Sequence, residues 1–502
     1  MEDSTVLYSA ISAFLLFLSF KFFFKSRASH INLPPSPRSI PILGHLHLIK
    51  PPIHRAFLNL SKKYGPIVSL KFGCQLVVMV SSPSAVEECF TKNDIVLANR
   101  PQLLMGKHLG YNYTNMVNSS YGDHWRNLRR ISAIEIFSSA RLNMFVDVRK
   151  DEIMRLLKKL SRNSFQDFAK VEVKLTISDL TFNNIIRMVA GKRYYGEDVG
   201  DEREARQFRE LIGEVFEHSG ATNPGDFVPI LNWINRNYER KVKRLGETMD
   251  RRLQKMIDEI RSKQQGNTMI HRLLSLQQSQ PQYYTDQIIK GLILVLVLAG
   301  TDTTAATLEW ALSALLNNPD VLKKARDELD AEVGQENLID EPHLTKLPYL
   351  QNIISETFRL YPVAPLLVPH LASNDCTIGE HNVPRNTMVL INAWAIQRDP
   401  NLWDDPLVFK PERFENGETE SYKFMPFGLG RRACPGESLA LRVVGLTLGS
   451  LIQCFDWKRV GKEEIDMTEK NGATMPKAQP LVAMCKARPI ISKVIPEAIK
   501  NV

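Results

Sequence analysis

The sequence predicts a mainly α-helical protein with a small β portion, preceded by a single N-terminal transmembrane helix. Three observations lead to this prediction: apolar residues recur with helical spacing along most of the chain, a few short runs have strand character, and an apolar segment lies near the N-terminus. Apolar residues make up 44% of the 502 residues and charged residues 24%. This ordinary globular composition excludes a disordered or collagen-like chain.

The apolar N-terminal segment covers residues 6–24, enough for about 28 Å of helix. Acidic residues precede it and basic residues follow it, so the positive-inside rule places the rest of the chain in the cytosol. A cleaved signal peptide is the alternative, although no basic region precedes the segment and no small-residue cleavage site follows it. We therefore expect a single-pass membrane anchor at residues 1–24.

A proline-rich stretch, LPPSP at residues 33–37, follows the anchor. Such a run cannot continue a helix and favours an extended, semi-rigid spacer. We assign residues 25–40 to a basic, proline-rich hinge. No second linker or internal repeat interrupts the remaining sequence, so residues 41–502 are predicted to form one catalytic body.

Helical periodicity dominates this body. It predicts helices over residues 83–93, 147–162, 203–219, 237–264, 285–317 and 320–332. Short β-type runs predict strands over residues 67–72, 76–80 and 388–391. The polar stretch 264–282 predicts a surface loop interrupted by a short helix. The apolar stretch 226–233 fits either the core or a second membrane-touching surface, and both interpretations stay open.

The cysteines are sparse, at positions 74, 89, 376, 434, 454 and 485. No Cys-x-x-Cys pair or zinc-type spacing occurs, so the sequence predicts neither a disulfide scaffold nor a zinc site, and it indicates a reducing compartment. Each cysteine is either a small buried hydrophobe or a lone reactive ligand. The net charge of +9 is compatible with docking an acidic protein, and we expect no nucleic-acid partner.

Cys434 has a distinctive setting, at the junction of a glycine-rich loop and a helix. The loop reads FGLGRRACPG over residues 427–436. The positive end of the helix and free backbone N–H groups favour a thiolate there. The glycines allow a flat ligand to approach closely. Arg432 can offer paired donors to a carboxylate, and Phe427 can shield the sulfur from water.

This spacing, Phe-x-x-Gly-x-Arg-x-Cys-x-Gly, resembles the haem-binding motif of the cytochrome P450 family. The resemblance implies the cytochrome P450 fold and a bound haem b, whose iron takes Cys434 as its axial ligand. It also implies that Phe427, Gly430, Arg432 and Gly436 contribute to the cofactor site. A buried, inert cysteine in a glycine-rich turn is the alternative interpretation of this loop.

Other motifs extend the resemblance along nearly the whole chain. Trp125 and Arg129 are four residues apart on one helix face, and in the family such a pair binds a haem propionate. His370 stands where many family members place an arginine for a propionate. Histidine would make a weaker, pH-dependent contact.

A second set of family motifs is structural. Glu356 and Arg359 are three residues apart on a predicted helix, which alone is a common surface ion pair. In the family this pair is buried and joined by the arginine of a Pro-Glu-Arg-Phe segment. That arginine is Arg413 here, so the resemblance implies a scaffold role for these three residues.

The predicted helix at residues 285–317 carries an uncharged run, residues 291–300, followed by TDTT. The run is too short to span a bilayer and suits a buried helix. Threonine hydroxyls can bond the carbonyl four residues back and bend the helix. The stretch resembles the family's oxygen-activation groove, which implies that Asp302 and Thr303 guide solvent protons to the dioxygen being reduced. A satisfied polar kink is the alternative.

The resemblance implies a haem-thiolate monooxygenase anchored in the endoplasmic reticulum membrane with a cytosolic catalytic domain. It would reduce dioxygen with two electrons and insert one oxygen atom into a small lipophilic substrate. The sequence has no glycine-rich dinucleotide motif, so the electrons would come from another protein. The resemblance implies that this protein is a membrane-bound NADPH reductase carrying FAD and FMN. A haem-thiolate isomerase or dehydratase, and a non-enzymatic haem sensor or carrier, are the alternatives. A monooxygenase would consume NADPH and oxygen, whereas a haem-thiolate isomerase or dehydratase would not.

The whole chain is similar to plant microsomal members, most of all to the isoflavone 2′-hydroxylase-like group, on motifs such as MPKA at residues 475–478. Family analogy predicts a substrate wall that includes Leu103, Leu298, Ala299, Val363, Leu367 and Met475. Because these residues are mostly apolar, they fit a lipophilic phenolic or terpenoid substrate. The resemblance to the isoflavone 2′-hydroxylase-like group adds an isoflavonoid as a candidate. The group commonly has histidine where this chain has Gln397, and the sequence assigns that glutamine no role.

Overall fold

The computed structural model describes residues 9, 11–17, 32–196, 202–218, 223–234, 236–263, 266–417, 420–470, 472 and 474–495. Within the predicted anchor, residues 9 and 11–17 are helical. The apolar side chains Ile11, Phe14 and Leu15 are exposed there. The rest of the predicted anchor, and residues 25–31 of the predicted hinge, lie outside the described residues.

Helices make up most of the described body. In chain order they are α1 Ile53–Tyr64, α2 Pro83–Phe90, α3 Leu104–His108, α4 Asp123–Ile131, α5 Ser139–Met144, α6 Val146–Ser164, α7 Val173–Ala190, α8 Glu202–His218, α9 Pro229–Ile234, α10 Arg236–Arg261, α11 Met269–Ser279, α12 Asp286–Asn317, α13 Pro319–Glu332, α14 Pro348–Leu360, α15 Ala393–Ile396, α16 Glu437–Cys454 and α17 Ile490–Val494.

The strands are short. They are β1 Ile67–Phe72, β2 Gln75–Val80, β3 Ala169–Glu172, β4 His370–Leu371, β5 Cys376–Ile378, β6 His381–Val383, β7 Met388–Ile391, β8 Phe455–Arg459 and β9 Val482–Ala487. They form a four-stranded sheet in the order β1-β2-β7-β4, a three-stranded sheet in the order β3-β9-β8, and the pair β5-β6. The predicted class, mainly helical with a small β portion, is therefore confirmed.

Each predicted helix in the body is present, with both ends within three residues of the prediction. The strands predicted over residues 67–72 and 388–391 match β1 and β7, and β2 begins one residue early. The short helix expected within the polar stretch 264–282 is α11, whose N-terminus is capped by the Thr268 hydroxyl. The β3-β9-β8 sheet was not predicted, because it joins short, half-exposed segments that lie far apart in the sequence.

The long helix α12 lies at the centre of the body and packs against α7, α10, α14 and α16. Among the described residues, α12 and α16 are long and apolar enough to cross a membrane. Most residues of the apolar stretch in each helix are nevertheless buried within the protein. Their apolar composition is therefore explained by burial in the core, which is the role predicted for the α12 segment.

The apolar stretch 226–233 divides between core and surface. Phe227 and Val228 are buried against the four-stranded sheet, whereas Ile230 is 62% exposed. The β1–β2 turn approaches this stretch so closely that a Cβ on Gly73 would lie 2.0 Å from the Phe227 carbonyl oxygen. The core interpretation is therefore confirmed for Phe227 and Val228. Contact of the exposed part of the stretch with a membrane stays a prediction.

Candidate active site

A mostly apolar cavity of about 320 Å³ is lined by α12, α16 and the loop before α16. Side chains from α4, α7 and α14 complete its wall. Of the predicted cofactor residues, the cavity brings together Trp125, Arg129, His370, Phe427, Arg432, Cys434 and Gly436. Tertiary packing thus collects residues that lie more than three hundred positions apart at one site.

Gly430 does not line the cavity. Its backbone has a φ of +65°, and a Cβ at this position would lie 2.4 Å from a carboxylate oxygen of Asp94. A side chain would be strained there and would also clash with that neighbour. The packing of the loop thus requires a glycine at position 430. Its contribution to cofactor binding stays a prediction.

The Cys434 thiol lies on the cavity wall in a closed loop. The Cys434 backbone N–H donates to the Phe427 carbonyl oxygen at 2.8 Å. Burial raises the pKa of the Cys434 thiol, while the backbone N–H groups of Gly436 and Glu437 and the Arg129 guanidinium act in the opposite direction. The donors expected from the sequence are present, but burial outweighs them in the protein alone. A coordinated metal ion would remove the thiol proton.

Three arginines, Arg100, Arg129 and Arg432, line the same cavity. Within the described part of the chain, their hydrogen bonds all go to backbone carbonyls, and no carboxylate lies within 4.0 Å of their guanidinium nitrogens. Burial and the nearby Arg432 lower the pKa of Arg100 to about 9. The Nε of Arg100 is buried and has no hydrogen-bond partner among the residues that the structure describes. This cluster of positive charges suits a ligand that carries two carboxylates along one edge.

Arg432 is held rigidly among backbone groups. Its Nε donates to the Ala98 carbonyl at 2.6 Å and its Nη2 to the Ser119 carbonyl at 2.6 Å. Its guanidinium lies 4.3 Å from the ring centroid of Trp125. The Trp125 indole N–H donates to the Met116 carbonyl at 3.1 Å.

His370 is buried at the cavity wall, with its Nδ1 2.8 Å from the Leu97 carbonyl oxygen. Burial lowers the pKa of His370 well below its usual range, and Arg100 lowers it further. The histidine is therefore neutral, and Arg100 supplies the positive charge on this side of the cavity. The sequence analysis did not select Arg100 as a site residue. An arginine as the single charged residue within the run IVLANRPQLL was the available clue.

These features fit a haem. The cavity combines one thiol, an apolar wall and a group of guanidiniums without carboxylate partners among the described residues. A porphyrin needs an apolar slot, its two propionates need cations, and a thiolate is one of the protein ligands that haem iron takes.

The polar stretch of α12 has the local geometry predicted for it. Thr303 Oγ1 donates to the Ala299 carbonyl at 2.6 Å, and Thr301 Oγ1 donates to the Val297 carbonyl at 2.7 Å. Thr303 lines the cavity, whereas Asp302 does not. The Asp302 carboxylate instead accepts a hydrogen bond from the Thr474 hydroxyl, with an oxygen–oxygen distance of 2.9 Å.

The predicted substrate wall is only partly assembled at the cavity. Ala299, Val363 and Leu367 line it. The other three predicted residues pack elsewhere: Leu298 against the main core, Leu103 against the cluster of the four-stranded sheet, and Met475 against Trp394. Substrate contact by those three residues stays a prediction.

Glu356, Arg359 and Arg413 form a buried cluster. Arg359 Nε and Nη2 donate to the two Glu356 carboxylate oxygens at 2.6 and 2.8 Å, and Arg413 Nε donates to the same carboxylate at 3.1 Å. Gln397, to which the sequence assigned no role, donates to the Phe358 and Arg359 carbonyls at 3.0 and 2.9 Å. This amide ties α14 to the segment after α15.

A family model described as Cytochrome P450 matches residues 34–484. The chain belongs to the cytochrome P450 family. This P450 is 60% identical over 499 residues to Cytochrome P450 81Q32 of Catharanthus roseus, which covers 99% of this chain and 100% of the relative. It is 54% identical over 484 residues to Isoflavone 2′-hydroxylase of Medicago truncatula, covering 95% and 97% of the two chains. It is 56% identical over 472 residues to Isoflavone 3′-hydroxylase of Medicago truncatula, covering 92% and 94%.

The family resemblance drawn from the motifs is therefore confirmed, and it identifies the kind of enzyme. This P450 is a monooxygenase that uses haem b, and its electrons come from NADPH indirectly, through a reductase. Its relatives place it among enzymes of plant secondary metabolism.

Proposed function

We propose that this P450 hydroxylates a lipophilic isoflavonoid or related phenolic at the endoplasmic reticulum membrane. The observation that carries this proposal is the apolar cavity that contains both the Cys434 thiol and the Thr303 hydroxyl. Relatives that are more than half identical over nearly the whole chain are named for hydroxylation of isoflavones. The reaction would be RH + O₂ + NADPH + H⁺ → ROH + H₂O + NADP⁺.

The cofactor would be held by residues at the cavity wall. Cys434 would ligate the haem iron, with Phe427 and Gly436 shaping the loop around the sulfur. Arg100, Arg129 and Arg432, together with Trp125 and His370, would bind the propionates. When bound, the haem supplies the activation of dioxygen, which no amino-acid side chain can perform.

Thr303 and Asp302 would supply protons, since the water formed in each turnover takes up two. The Thr303 hydroxyl donates to the Ala299 carbonyl, which leaves its oxygen lone pairs free to accept a hydrogen bond in the cavity. Asp302 lies one residue earlier and is half-buried. It can therefore exchange protons with solvent outside the cavity.

The apolar residues of the wall would orient the substrate. Ala299, Val363 and Leu367 offer no charged group to it. They would hold the substrate by burial of apolar surface, and they would exclude bulk water from the reacting C–H bond.

We also propose the domain division of an anchor at residues 1–24, a hinge at 25–40 and a catalytic domain at 41–502. The hinge contacts the body: Asn32 Nδ2 donates to the Glu380 carbonyl at 2.7 Å, and the Pro35 carbonyl accepts from the Ser69 N–H at 2.9 Å. An NADPH reductase carrying FAD and FMN in the same membrane would supply the electrons.

The test is expression in microsomes with a plant NADPH reductase, followed by a substrate panel of isoflavones, simple phenolics and terpenoids. We expect NADPH-dependent oxygen consumption and a product that has gained one oxygen atom, formed from isoflavones or phenolics and absent with Cys434→Ala. Product from terpenoids alone would overturn the proposed substrate class. Product that forms without NADPH would overturn the reaction.

A further inference from the structure

A hairpin near the C-terminus packs along the central helix. We call residues 465–481 the hairpin; the structure describes all of it except 471 and 473. Its two arms are joined by backbone hydrogen bonds of 2.8 Å from Lys470 N to Pro476 O and from Ala478 N to Thr468 O. The tip of the hairpin carries Thr474 and contacts α12 near its middle, at Asp302.

The base of the hairpin is fixed to the C-terminal part of α12. Asn317 exchanges two hydrogen bonds with the backbone of Ile465, at 2.8 and 2.9 Å. The Glu309 carboxylate accepts from the Leu481 N–H at 2.8 Å. These buried and half-buried bonds hold both arms against the helix.

The tip is fixed as well. The Trp310 indole N–H donates to the Met475 carbonyl at 2.8 Å, and the Met475 N–H donates to the Val363 carbonyl at 2.9 Å. Lys477 Nζ lies 4.7 Å from the ring centroid of Trp310. The backbone that directly follows Thr474 is thus held in place independently of the Thr474 side chain.

The Thr474 hydroxyl donates to Asp302 Oδ2 at 2.9 Å. Among the hydrogen bonds that the structure shows in its described part, this is the one made by the Asp302 carboxylate with another side chain. A hydroxyl that donates to one carboxylate oxygen restrains the rotamer of that carboxylate. The carboxylate is thereby kept outside the cavity that its neighbour Thr303 lines.

We propose that Thr474 is a positioning residue for proton supply, acting through its hydrogen bond to Asp302. This inference rests on the proposed function, because it assigns Thr474 a role in the proton supply by Asp302. Removal of the hydroxyl leaves the carboxylate free to change its rotamer. Electrons from NADPH then leave as hydrogen peroxide (O₂ + NADPH + H⁺ → H₂O₂ + NADP⁺) instead of forming product and water.

The test compares Thr474→Val, which removes the hydroxyl at nearly constant volume, with Thr474→Ser, which keeps it. Each variant is assayed in microsomes with reductase and 7-hydroxyisoflavone as the probe substrate, and product and peroxide are measured per NADPH. We expect Thr474→Val to raise the peroxide fraction several-fold and lower kcat, with KM within twofold of wild type. Thr474→Ser should retain wild-type coupling.

The decisive comparison uses Asp302→Asn. If Thr474 acts through Asp302, Thr474→Val causes no further loss of coupling in the Asp302→Asn background. Wild-type coupling in Thr474→Val would overturn the inference. So would a double variant in which Thr474→Val lowers coupling as much as it does in the wild-type background. Wild-type coupling in both Asp302→Asn and Thr303→Ala would instead overturn the proposed proton supply, and with it this role.

A second readout does not depend on turnover. Hydrogen–deuterium exchange of the substrate-free holoenzyme reports the opening of the hairpin tip. Because the backbone hydrogen bonds of Met475 to Trp310 and Val363 do not involve the Thr474 side chain, we expect exchange in the peptide that contains Met475 to proceed at the wild-type rate in Thr474→Val and in Asp302→Asn. Faster exchange in Thr474→Val would show that the substitution opens the tip, so that its loss of coupling comes from a general loosening and not from the Asp302 carboxylate, and would overturn the inference.

Discussion

At the cavity wall, burial shifts the pKa of two single residues, Cys434 and His370. Burial raises the pKa of the Cys434 thiol, so the free protein holds a protonated sulfur until a metal ion displaces the proton. Burial also lowers the pKa of His370, which leaves Arg100, Arg129 and Arg432 as the positive groups at the site. The site therefore offers a thiol that a bound metal ion can deprotonate and three guanidiniums that can pair with carboxylates.

At this scale we expect Cys434→Ala to lose thiolate ligation. The substitution removes the sulfur from the cavity wall and leaves the surrounding packing largely intact. The measurement is the difference spectrum of reduced, carbon monoxide-treated enzyme, in which the Soret band typical of thiolate ligation should disappear. Cys74→Ala is the matched control, because Cys74 is exposed and does not line the cavity. A retained thiolate-type band in Cys434→Ala would refute the ligand assignment.

We expect Thr303→Ala to retain haem but to form product roughly 100-fold less efficiently per NADPH, at the low end of the range for a lost proton donor. The missing product should be replaced by hydrogen peroxide. Thr301→Ala is the control, since Thr301 makes the same back-bond on α12 without lining the cavity. Equal coupling in wild type and Thr303→Ala would contradict a proton role for this hydroxyl.

At the scale of elements, the hairpin connects α12 to the first helix of the body. Its residue Glu469 accepts hydrogen bonds from Arg55 at 2.5 and 2.8 Å and is 3.1 Å from His54 Nε2. Burial alone would raise the pKa of Glu469, but these hydrogen bonds lower it well below its usual range. The ionised carboxylate therefore stabilises the contact between α1 and the hairpin at neutral pH.

Glu469→Gln should lower the free energy of unfolding by about 1–3 kcal/mol at pH 7, as expected for a lost charged hydrogen bond. Exposure of Arg55 places the expected value toward the lower end. Because the folded pKa is depressed, the wild-type advantage exists above the unfolded pKa of about 4.3 and declines as pH falls below it. Urea unfolding between neutral and acidic pH would measure this, with the exposed Glu463→Gln as control. A constant difference at every pH would contradict the assignment.

At the scale of the whole molecule, the catalytic body and the N-terminal segment differ in surface character. Ile11, Phe14, Leu15, Leu16 and Phe17 in the described part of that segment are each between 45% and 70% exposed. The body instead buries its two most apolar helices, α12 and α16. A lipid bilayer is the environment that would cover the exposed apolar side chains.

Deletion of residues 1–31 should therefore move most of the protein from the membrane fraction to the soluble fraction while haem content per protein stays unchanged. The measurement is high-speed sedimentation after a carbonate wash, together with the carbon monoxide spectrum. The full-length protein is the control. A truncated protein that still sediments with membranes would show that another surface, such as the one around Ile230, is sufficient for attachment.

The sequence by itself determined the helices and several strands, because their periodicity depends on near neighbours in the chain. It also determined the family, because the loop around Cys434 is a contiguous motif. Only the tertiary structure decided that Arg100 lines the cavity, that Met475 packs against Trp394, and that Thr474 meets Asp302. These contacts join segments that lie far apart in the sequence, and local spacing carries no information about them. Packing decides them, because each buried polar or apolar group must find its partner in the assembled protein.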